Sequence, residues 1–423
     1  MDAVEREQLK APPSLWQNRD YLLLMGGQTV STIGTQVSQF AFPLLVLALT
    51  GSPGWAGFSA ALVAAPYFLL ALPAGAILDR VDRKRVMILC DVGRALILGS
   101  IPLAFLLGHM TFVQLCVCAF AEGCLYTLFD IAWSSAIPRV VADNQMEQAG
   151  AQETVVREIA FSVGPALGGV LFGIGRTLPA LTDAISYVVS VCSLLLIKGQ
   201  FQEERSNERV PLLARVRQGL TWIGRHRLIR FLAVLACVGN GLDSGVWILF
   251  VIIAVHLHAP AWSIGTVFGI SGLSGILASL VAERIGASRG QARFTLRHVM
   301  LATQWAIVPL LVALLFVPNI VFLGIITTLI IFLSALQGTV QYMFRIPLIP
   351  DEVYSRVTSV FRVVGYAGPP LALGLLGLSL QFAGLSFTIL ATCAVVLLVA
   401  ILMSINPELR RAQVLKADAS ESK

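Results

Sequence analysis

GAILDRVDRKR, at residues 75–85, is the most informative stretch of this sequence. It is a short polar turn with four basic residues, and it joins two apolar segments at about 56–78 and 86–108. An apolar stretch of about 20 residues can cross the hydrocarbon core of a bilayer as a helix. The stretch therefore predicts a tight turn between two transmembrane helices, held on one side of the membrane by its basic side chains.

The composition of the whole chain agrees with that prediction. Of its 423 residues, 57% are hydrophobic and 13% are charged, whereas soluble proteins have roughly 45–50% apolar and about 25% charged residues. Such a chain cannot cover a water-facing surface, which excludes a soluble enzyme, a nucleic-acid-binding protein, a disordered protein and a secreted disulfide scaffold. Because twelve helices of about 20 residues would use nearly all of the apolar residues, we expect an all-α membrane protein with twelve transmembrane helices.

The distribution of charge predicts the orientation of these helices. Apolar runs place the spans at about 21–49, 56–78, 86–108, 111–134, 154–174, 178–197, 230–257, 263–283, 297–317, 319–343, 357–380 and 383–405. Nearly all of the Lys and Arg residues between spans fall on one side, and Arg176 alone falls on the other. Loops rich in Lys and Arg stay in the cytoplasm. We therefore expect a multi-pass protein of the bacterial cytoplasmic membrane with both termini in the cytoplasm.

One long polar segment divides the chain into two halves of six spans. We expect an N-terminal six-helix bundle at 1–199, a cytoplasmic linker at 200–228, and a C-terminal six-helix bundle with a cytoplasmic tail at 229–423. Within the linker, apolar residues recur at helical spacing over 211–227. This pattern predicts an amphipathic helix that lies on the inner leaflet.

A repeated dipeptide indicates that the two halves are related. Gly164-Pro165 in span five recurs as Gly368-Pro369 in span eleven, 204 positions later. Parallel six-helix halves are typical of transporters whose substrate site lies between the halves, near the middle of the membrane.

Polar residues recur on one face of spans one, four, seven and ten. Because polar groups are costly in hydrocarbon, such faces should line a water-filled cavity; the alternative is that they join neighbouring helices by hydrogen bonds. The candidate cavity residues are Gln28, Thr32, Gln36, Gln39, Tyr126, Asp130, Trp133, Asn240, Ser244, Trp247, Thr327, Ser334, Gln337 and Gln341.

Two carboxylates, Glu122 and Asp243, lie deep within spans four and seven. Hydrocarbon disfavours the charged form of a carboxyl group, so either acid could carry a proton across the membrane or pair with a cationic substrate. The alternative is a structural ion pair, and Arg94 is the candidate partner. Asp91 is expected to form an intrahelical ion pair with Arg94. Asp183, near the outer end of span six, is expected to reach the lipid head groups.

The opening stretch resembles the loop 2–3 signature of the major facilitator superfamily, G-x-x-x-D-R-x-G-R-[KR], with Asp82 in place of the second glycine. The residues that carry the resemblance are Gly75, Asp79, Arg80, Arg83, Lys84 and Arg85. It implies the major facilitator fold of two six-helix bundles, and a loop that latches the halves together when the transporter faces outward. The variant with Asp82 resembles the drug:proton antiporter branch, which includes macrolide exporters and the enterobactin exporter.

A run in span five is similar to the end of the superfamily's antiporter signature, G-P-x-x-G-G. The matching residues are Gly164, Pro165, Gly168 and Gly169. Proline kinks a helix and glycine allows close helix packing, so the run is expected to form a pliable gate. The glycine-rich run 239–245 around Asp243 is expected to unwind locally, because glycine weakens a helix.

These features predict a secondary active transporter that exports amphipathic small molecules, drug-like or siderophore-like, by proton antiport and alternating access. One alternative is an importer or uniporter of a small polar metabolite, which would favour more fixed charge in the C-terminal half. Another is a non-transport role, although the sequence carries no catalytic motif of an enzyme. We expect a monomer with no cofactor and no metal, whose partners are a small-molecule substrate, protons and the lipid bilayer, and not nucleic acid.

Overall fold

The computed structural model describes residues 15–78, 81–198, 212–287 and 296–409. The first six long helices are α1 (Arg19–Thr50), α2 (Pro53–Leu78), α3 (Arg83–Leu106), α4 (Phe112–Val140), α5 (Met146–Ile174) and α6 (Leu178–Leu196). The helix α7 (Leu212–Arg225) follows. The second set is α8 (Arg227–His256), α9 (Ala261–Ala287), α10 (Leu296–Ala313), α11 (Ile320–Arg345), α12 (Asp351–Tyr366), α13 (Gly368–Phe382) and α14 (Gly384–Ile405).

Twelve helical stretches in these ranges are long and apolar enough to cross a membrane, with α12 and α13 together counting as one. This confirms the predicted all-α fold with twelve spans. Several helices are longer than predicted. For example, α4 continues to Val140 and α5 begins at Met146. Hydropathy locates only the part of a helix that lies in hydrocarbon, whereas the backbone hydrogen bonds continue through polar residues beyond it.

The glycines around Asp243 do not unwind the helix, and the expectation of a local break is wrong. The helix α8 is continuous from Arg227 to His256. Gly241 instead lets α8 approach α13 closely, since a Cβ atom there would lie 3.0 Å from the carbonyl oxygen of Gly368. The packing energy of this close contact offsets the weak helix propensity of glycine.

The related Gly-Pro runs have different local structures. In span five, Pro165 lies inside the continuous helix α5. In span eleven, α12 ends at Tyr366 and α13 begins at Gly368, with proline in its first turn. Because proline has no N–H to donate, it suits the first turn of a helix, and two successive prolines after Gly368 divide this span.

The six helices of each half pack mainly on one another. In the first half, α1 packs on α5 and α6, α3 on α4 and α6, and α2 on α4. In the second half, α8 packs on α13, α9 on α11, and α10 on α11 and α14. The halves meet mainly along two pairs of helices, α5 with α9 and α2 with α13. Residues from the polar faces of α1, α4 and α8 lie around the space between the halves.

The amphipathic helix α7 packs against helices of the C-terminal half. It lies against α12 and α8, and a Cβ atom on Gly219 would be 2.8 Å from the carbonyl oxygen of Arg356. Ile223 is buried, while Leu220 on the same helix is exposed. Residues 200–211 of the predicted linker lie outside the described residues.

Close contacts between the backbones of the two halves extend along α5 and α9 and reach one end of the molecule. We call the end where α1 begins and α7 lies the linker face, and the opposite end the far face. At the far face, a Cβ atom on Gly57 would be 2.6 Å from the Cα of Gly377, and one on Gly169 would be 2.3 Å from the carbonyl oxygen of Ala261. Only glycine permits such approach of two backbones, so these residues seal the far face.

Candidate functional site

A cavity of about 480 Å³ lies between the two halves. Its wall is largely apolar and aromatic, with Phe40 from the first half and Trp247 and Phe268 from the second. Glu122 and Asp243 reach this cavity from opposite halves. The other candidate residues on its wall are Gln36, Gln39, Tyr126, Ser244 and Trp247. The fold therefore places residues from predicted spans one, four and seven around one central space.

Glu122 forms an ion pair inside the N-terminal half. Its Oε1 atom lies 2.6 Å from Nη2 of Arg94 and accepts a hydrogen bond from Nε of Arg94 at 2.8 Å. Asp91 is 3.9 Å from the same guanidinium group, which is the predicted intrahelical pair. The guanidinium group also lies over the ring of Tyr187, 4.1 Å from its centroid. Arg94 is therefore a structural partner of Glu122, as in the alternative interpretation of this acid. Glu122 also lines the central cavity.

Asp183 is fully buried beside this pair, so the expectation that it reaches the head groups is wrong. Its carboxylate accepts hydrogen bonds from the hydroxyl group of Ser38, from Ser186 at 3.1 Å and from Tyr187 at 3.3 Å. These hydroxyl groups on α1 and α6 supply hydrogen-bond donors to the carboxylate inside the bundle. Asp91, Arg94, Glu122 and Asp183, each at most 9% exposed, form what we call the N-bundle charge cluster.

A smaller pocket of about 130 Å³ lies within the N-terminal half, next to this cluster. Its wall holds the remaining candidate residues of spans one and four. These are Gln28, Thr32, Asp130 and Trp133, together with Gln36, Gln39 and Tyr126, which it shares with the central cavity. Arg157 on α5 also lines the pocket, where its guanidinium group donates a hydrogen bond to Glu153 at 2.8 Å.

A third cavity, of about 500 Å³, lies inside the C-terminal half. Asn240, Ser334, Gln337 and Gln341 line it, and Asp243 lies on both this wall and that of the central cavity. Asp243 has an exposed side chain and no ion pair among the described residues. Thr327 is the exception among the candidates, because it is fully buried and its hydroxyl group donates to the carbonyl oxygen of Leu323 at 2.6 Å.

One ion pair joins the two halves below the central cavity, toward the linker face. Asp130 on α4 is 3.8 Å from Arg362 on α12 and accepts a hydrogen bond from Tyr67 at 3.1 Å. The ring of Tyr67 lies 4.2 Å from that of Tyr366, centroid to centroid. This contact between the halves is made by side chains, whereas the seal at the far face is made by backbone.

Arg362 and Arg345 are candidate functional residues that the sequence patterns above do not single out, although the position of Arg362 could have indicated its role. It lies inside the predicted span 357–380, and an ionisable residue within a span indicates a functional role. Arg345 lies two residues beyond the predicted end of span ten, which predicts a loop charge. The structure places it inside the C-terminal cavity instead.

The basic turn after α2 is partly described. Asp79 and Arg80 lie outside the described residues, and Gly75 lies in α2. Arg83 donates to the carbonyl oxygen of Ser135 at 3.3 Å and Lys84 to that of Ile197 at 2.5 Å. Arg85 is 3.7 Å from Asp82. The turn is therefore tied to the ends of α4 and α6 in the N-terminal half.

The glycines of span five bring three helices together. A Cβ atom on Gly164 would be 2.3 Å from Cβ of Gln36, and one on Gly168 would be 2.8 Å from the carbonyl oxygen of Val37, both on α1. Gly169 faces α9, and Pro165 lines the central cavity. The four residues thus position α5 between α1 of its own half and α9 of the other.

These features define a membrane transporter with an internal cavity between two helical bundles. The family described as "transmembrane secretion effector", within the major facilitator superfamily, matches residues 17–422, and the chain belongs to this family. This confirms the resemblance read from the basic turn.

Named relatives of the chain include two exporters. It is 26% identical over 402 residues to the multidrug efflux pump Tap of Mycolicibacterium fortuitum, covering 92% of this chain and 96% of the relative. It is 23% identical over 359 residues to the enterobactin exporter EntS of Salmonella typhimurium, covering 82% of each. These relatives support a transporter of the exporter type, which is not an enzyme.

The fold is also that of solved transporters. The chain superposes on a bacterial homologue of the human lysosomal transporter Spinster, in its inward-facing and occupied conformation, with a TM-score of 0.74 and 13% identity. That match covers 93% of this chain and 97% of the other. At this identity the likeness supports the fold of two six-helix bundles.

Proposed function

We propose that the protein exports amphipathic small molecules in exchange for protons, with the linker face in the cytoplasm. The observation that carries the proposal is the central cavity, whose apolar and aromatic wall also holds two carboxylates, Glu122 and Asp243, from opposite halves. A largely apolar pocket with a few polar groups is typical of sites for small organic ligands. The two named exporters among the relatives support outward transport.

The wall of the central cavity suits a cargo with an apolar body and a positive charge. Trp247 and Phe268 lie with their ring centroids 6.0 Å apart, and Phe40 is 5.7 Å from Phe268. Aromatic faces attract cations as well as apolar groups. Asp243 reaches the same cavity and has no ion pair of its own among the described residues. Its carboxylate is therefore free to bind either the cation or a proton, and these two compete.

The N-bundle charge cluster supports a second place for protons. It contains one cation, Arg94, and three carboxylates, Asp91, Glu122 and Asp183, all of them buried. One guanidinium group cannot compensate three buried negative charges, and an uncompensated buried charge is costly. We infer that the cluster holds protonated carboxyl groups in this conformation. Because Glu122 also lines the cavity, its protonation state responds to the cargo.

The way in which the two ends are closed supports alternating access. The far face is sealed by contacts between glycines, and the linker-face side of the central cavity is crossed by Asp130 and Arg362. We propose that proton binding to Asp243 releases the cargo, and that the bundles then rock to open one end and close the other. The basic turn at 75–85 then contacts the other half when the far face opens.

Proton-coupled export is tested with everted membrane vesicles that contain the protein. The vesicles are acidified inside by respiration, and the gradient is followed with a pH-sensitive fluorescent dye. Lipophilic cations, macrolides and siderophores are then added one at a time, with protein-free vesicles and an ionophore-collapsed gradient as controls. We expect at least one compound to dissipate the gradient only when the protein is present. If none does, proton-coupled export of these cargoes is wrong.

A further inference from the structure

The cavity inside the C-terminal half contains an arginine that has no anionic partner among the described residues. Arg345, at the end of α11, lines this cavity and is 8% exposed. Its Nε atom is buried without a hydrogen-bond partner. Among the described residues it also has no ion pair. A buried guanidinium group without a counter-charge is costly, so this residue calls for an explanation.

Other arginines on the cavity walls differ from Arg345 in this respect. Arg94 lies 2.6 Å from a carboxylate oxygen of Glu122, and Arg157 lies 2.8 Å from one of Glu153. Arg362, which lines the same cavity as Arg345, lies 3.8 Å from Asp130. Each of the three has a protein carboxylate, and Arg345 is the exception among these four described residues.

Two aromatic rings lie next to the guanidinium group of Arg345, where an acidic side chain would be expected. Its guanidinium carbon lies 3.7 Å from the ring centroid of Phe361 and 5.4 Å from that of Tyr342. The face of an aromatic ring attracts the cation, but neither ring carries a negative charge to pair with it. The hydroxyl group of Thr358, on the same cavity wall, also lacks a hydrogen-bond partner. The cavity wall therefore holds two kinds of donor that make no hydrogen bond among the described residues.

The rest of the cavity is suited to an apolar body. Its volume is about 500 Å³, and its wall includes Leu235, Ile307, Leu311 and Ile330. The acid on this wall, Asp243, lies toward the centre of the molecule, at the level of Ser334. Arg345 lies eleven positions after Ser334 on α11, which is about 16 Å along a helix. The cationic end of the cavity is thus well separated from its acidic end.

We propose that this cavity binds an amphipathic organic anion. Its carboxylate or phosphate head group pairs with Arg345 and accepts a hydrogen bond from Thr358, and its apolar part lies along α8, α10 and α11. Charge-assisted hydrogen bonds from arginine to such groups are among the strongest in proteins. The site goes beyond the proposed export reaction, because it uses neither the N-bundle charge cluster nor proton movement.

Equilibrium binding to the purified full-length chain tests the proposal. The protein is placed in nanodiscs of neutral phosphatidylcholine, and binding of radiolabelled decanoate is measured by scintillation proximity. Decanol and decyltrimethylammonium, which share the chain length but lack the anion, serve as competitors. We expect saturable decanoate binding that the two competitors displace at least about ten-fold less well than unlabelled decanoate does, because they lose the charged hydrogen bonds.

Two variants separate the anion site from general apolar binding. Arg345→Met should weaken decanoate binding at least about ten-fold and, without ligand, should raise the melting temperature, because it removes an unpaired buried charge. The matched control, Arg176→Gln, removes an exposed arginine at the far face and should leave both unchanged. Gly338→Leu should also abolish binding, since Gly338 lines the cavity and a Cβ atom there meets no atom within 4 Å.

The outcomes distinguish the proposal from its failure. Binding that decanol displaces equally well, or that survives both Arg345→Met and Gly338→Leu, would overturn it. A repeat in nanodiscs that contain phosphatidylglycerol identifies the source of the anion. Competition by this lipid means that a lipid head group occupies the site, and unaffected binding means that a soluble amphiphile does. The binding assay uses no proton gradient, so its result is independent of the transport experiment in everted vesicles.

Discussion

The two halves of the molecule treat the charges inside them in opposite ways. In the N-terminal half, Arg94 lies between three buried acids and pairs with Glu122 at 2.6 Å. In the C-terminal half, the exposed Asp243 and the buried Arg345 each face a cavity without a charged partner among the described residues. The protein pairs charges of the first set with one another, which contributes to stability, whereas the second set is left for other molecules to neutralise.

The largest effect is expected from removing the cation of the N-bundle charge cluster. Arg94→Leu leaves Glu122 and its neighbours without compensation, and breaking a buried ion pair in this way costs about 3–5 kcal/mol. We expect a large fall in melting temperature and in the yield of folded protein, measured by fluorescence-detected size exclusion after heating. The control is Arg157→Leu, which breaks a pair whose arginine side chain is 55% exposed and should cost at most about 1 kcal/mol.

A double variant sharpens this result. Adding Glu122→Gln to Arg94→Leu removes one of the uncompensated charges, so it should recover part of the lost melting temperature. Equal stability of Arg94→Leu and Arg157→Leu would contradict the view that the cluster stabilises the N-terminal half.

The next effect concerns the role of Asp243, in the C-terminal half, in proton-coupled transport. Asp243→Asn keeps the size of the side chain and breaks no ion pair among the described residues, so the melting temperature should stay within about 2 °C of the wild-type value. Proton-coupled transport in everted vesicles should fall by at least about ten-fold, because the amide cannot take up the proton. Glu283→Gln on α9, an exposed acid at the linker face, is the matched control. Unchanged proton coupling in Asp243→Asn would remove this residue from the mechanism.

A smaller effect tests the seal between the two halves. In Gly169→Ala, the new Cβ atom would lie 2.3 Å from the carbonyl oxygen of Ala261, and overpacking of this kind costs about 1–3 kcal/mol. We expect the population to shift away from far-face closure, so that amide hydrogens near Ala261 and Gly265 exchange faster with deuterium. Gly173→Ala, one turn further along the same helix, meets no atom within 4 Å. Equal exchange in both variants would mean that the seal does not depend on this approach.

The smallest effect is expected for the ion pair between the halves. The side chain of Arg362 is 50% exposed and lies 3.8 Å from Asp130, and exposed pairs contribute about 0–1 kcal/mol. Asp130→Asn should therefore change the melting temperature by no more than about 2 °C, while its amide oxygen keeps the hydrogen bond from Tyr67. A change as large as that of Arg94→Leu would show that charge holds the halves together more strongly than the far-face glycines do.

Much of the fold could be predicted from the sequence, because the membrane acts as a one-dimensional constraint. Apolar length and the placement of Lys and Arg identify the spans without any knowledge of their packing. The pairing of Asp91 with Arg94 was also predictable, since residues three apart lie on one helical face. The pairing of Glu122 with Arg94 could be predicted as an alternative for a different reason, because an arginine inside the membrane requires an anion nearby.

What could not be predicted depends on which helix faces which. The depth of Asp183 in span six predicts a position at the head groups, but hydroxyl groups of Ser38 on α1 and Tyr187 on α6 donate hydrogen bonds to it inside the bundle. Hydropathy ends span ten two residues before Arg345, whereas the helix continues to Arg345, which lines the cavity. The depth of a residue in the membrane can be predicted from the sequence. The direction in which its side chain points around the helix can be known only from the positions of the neighbouring helices.

The backbone seal at the far face has a consequence for the energetics of switching. Glycine has no rotamers, so bringing Gly57 against Gly377 restricts no side chain at either of these positions. A seal built from long side chains would lose rotamer entropy at each closure, and this loss would disfavour the closed form. With bare backbone on both surfaces, closure at these positions costs no side-chain entropy, so weak contacts are enough to hold the far face closed.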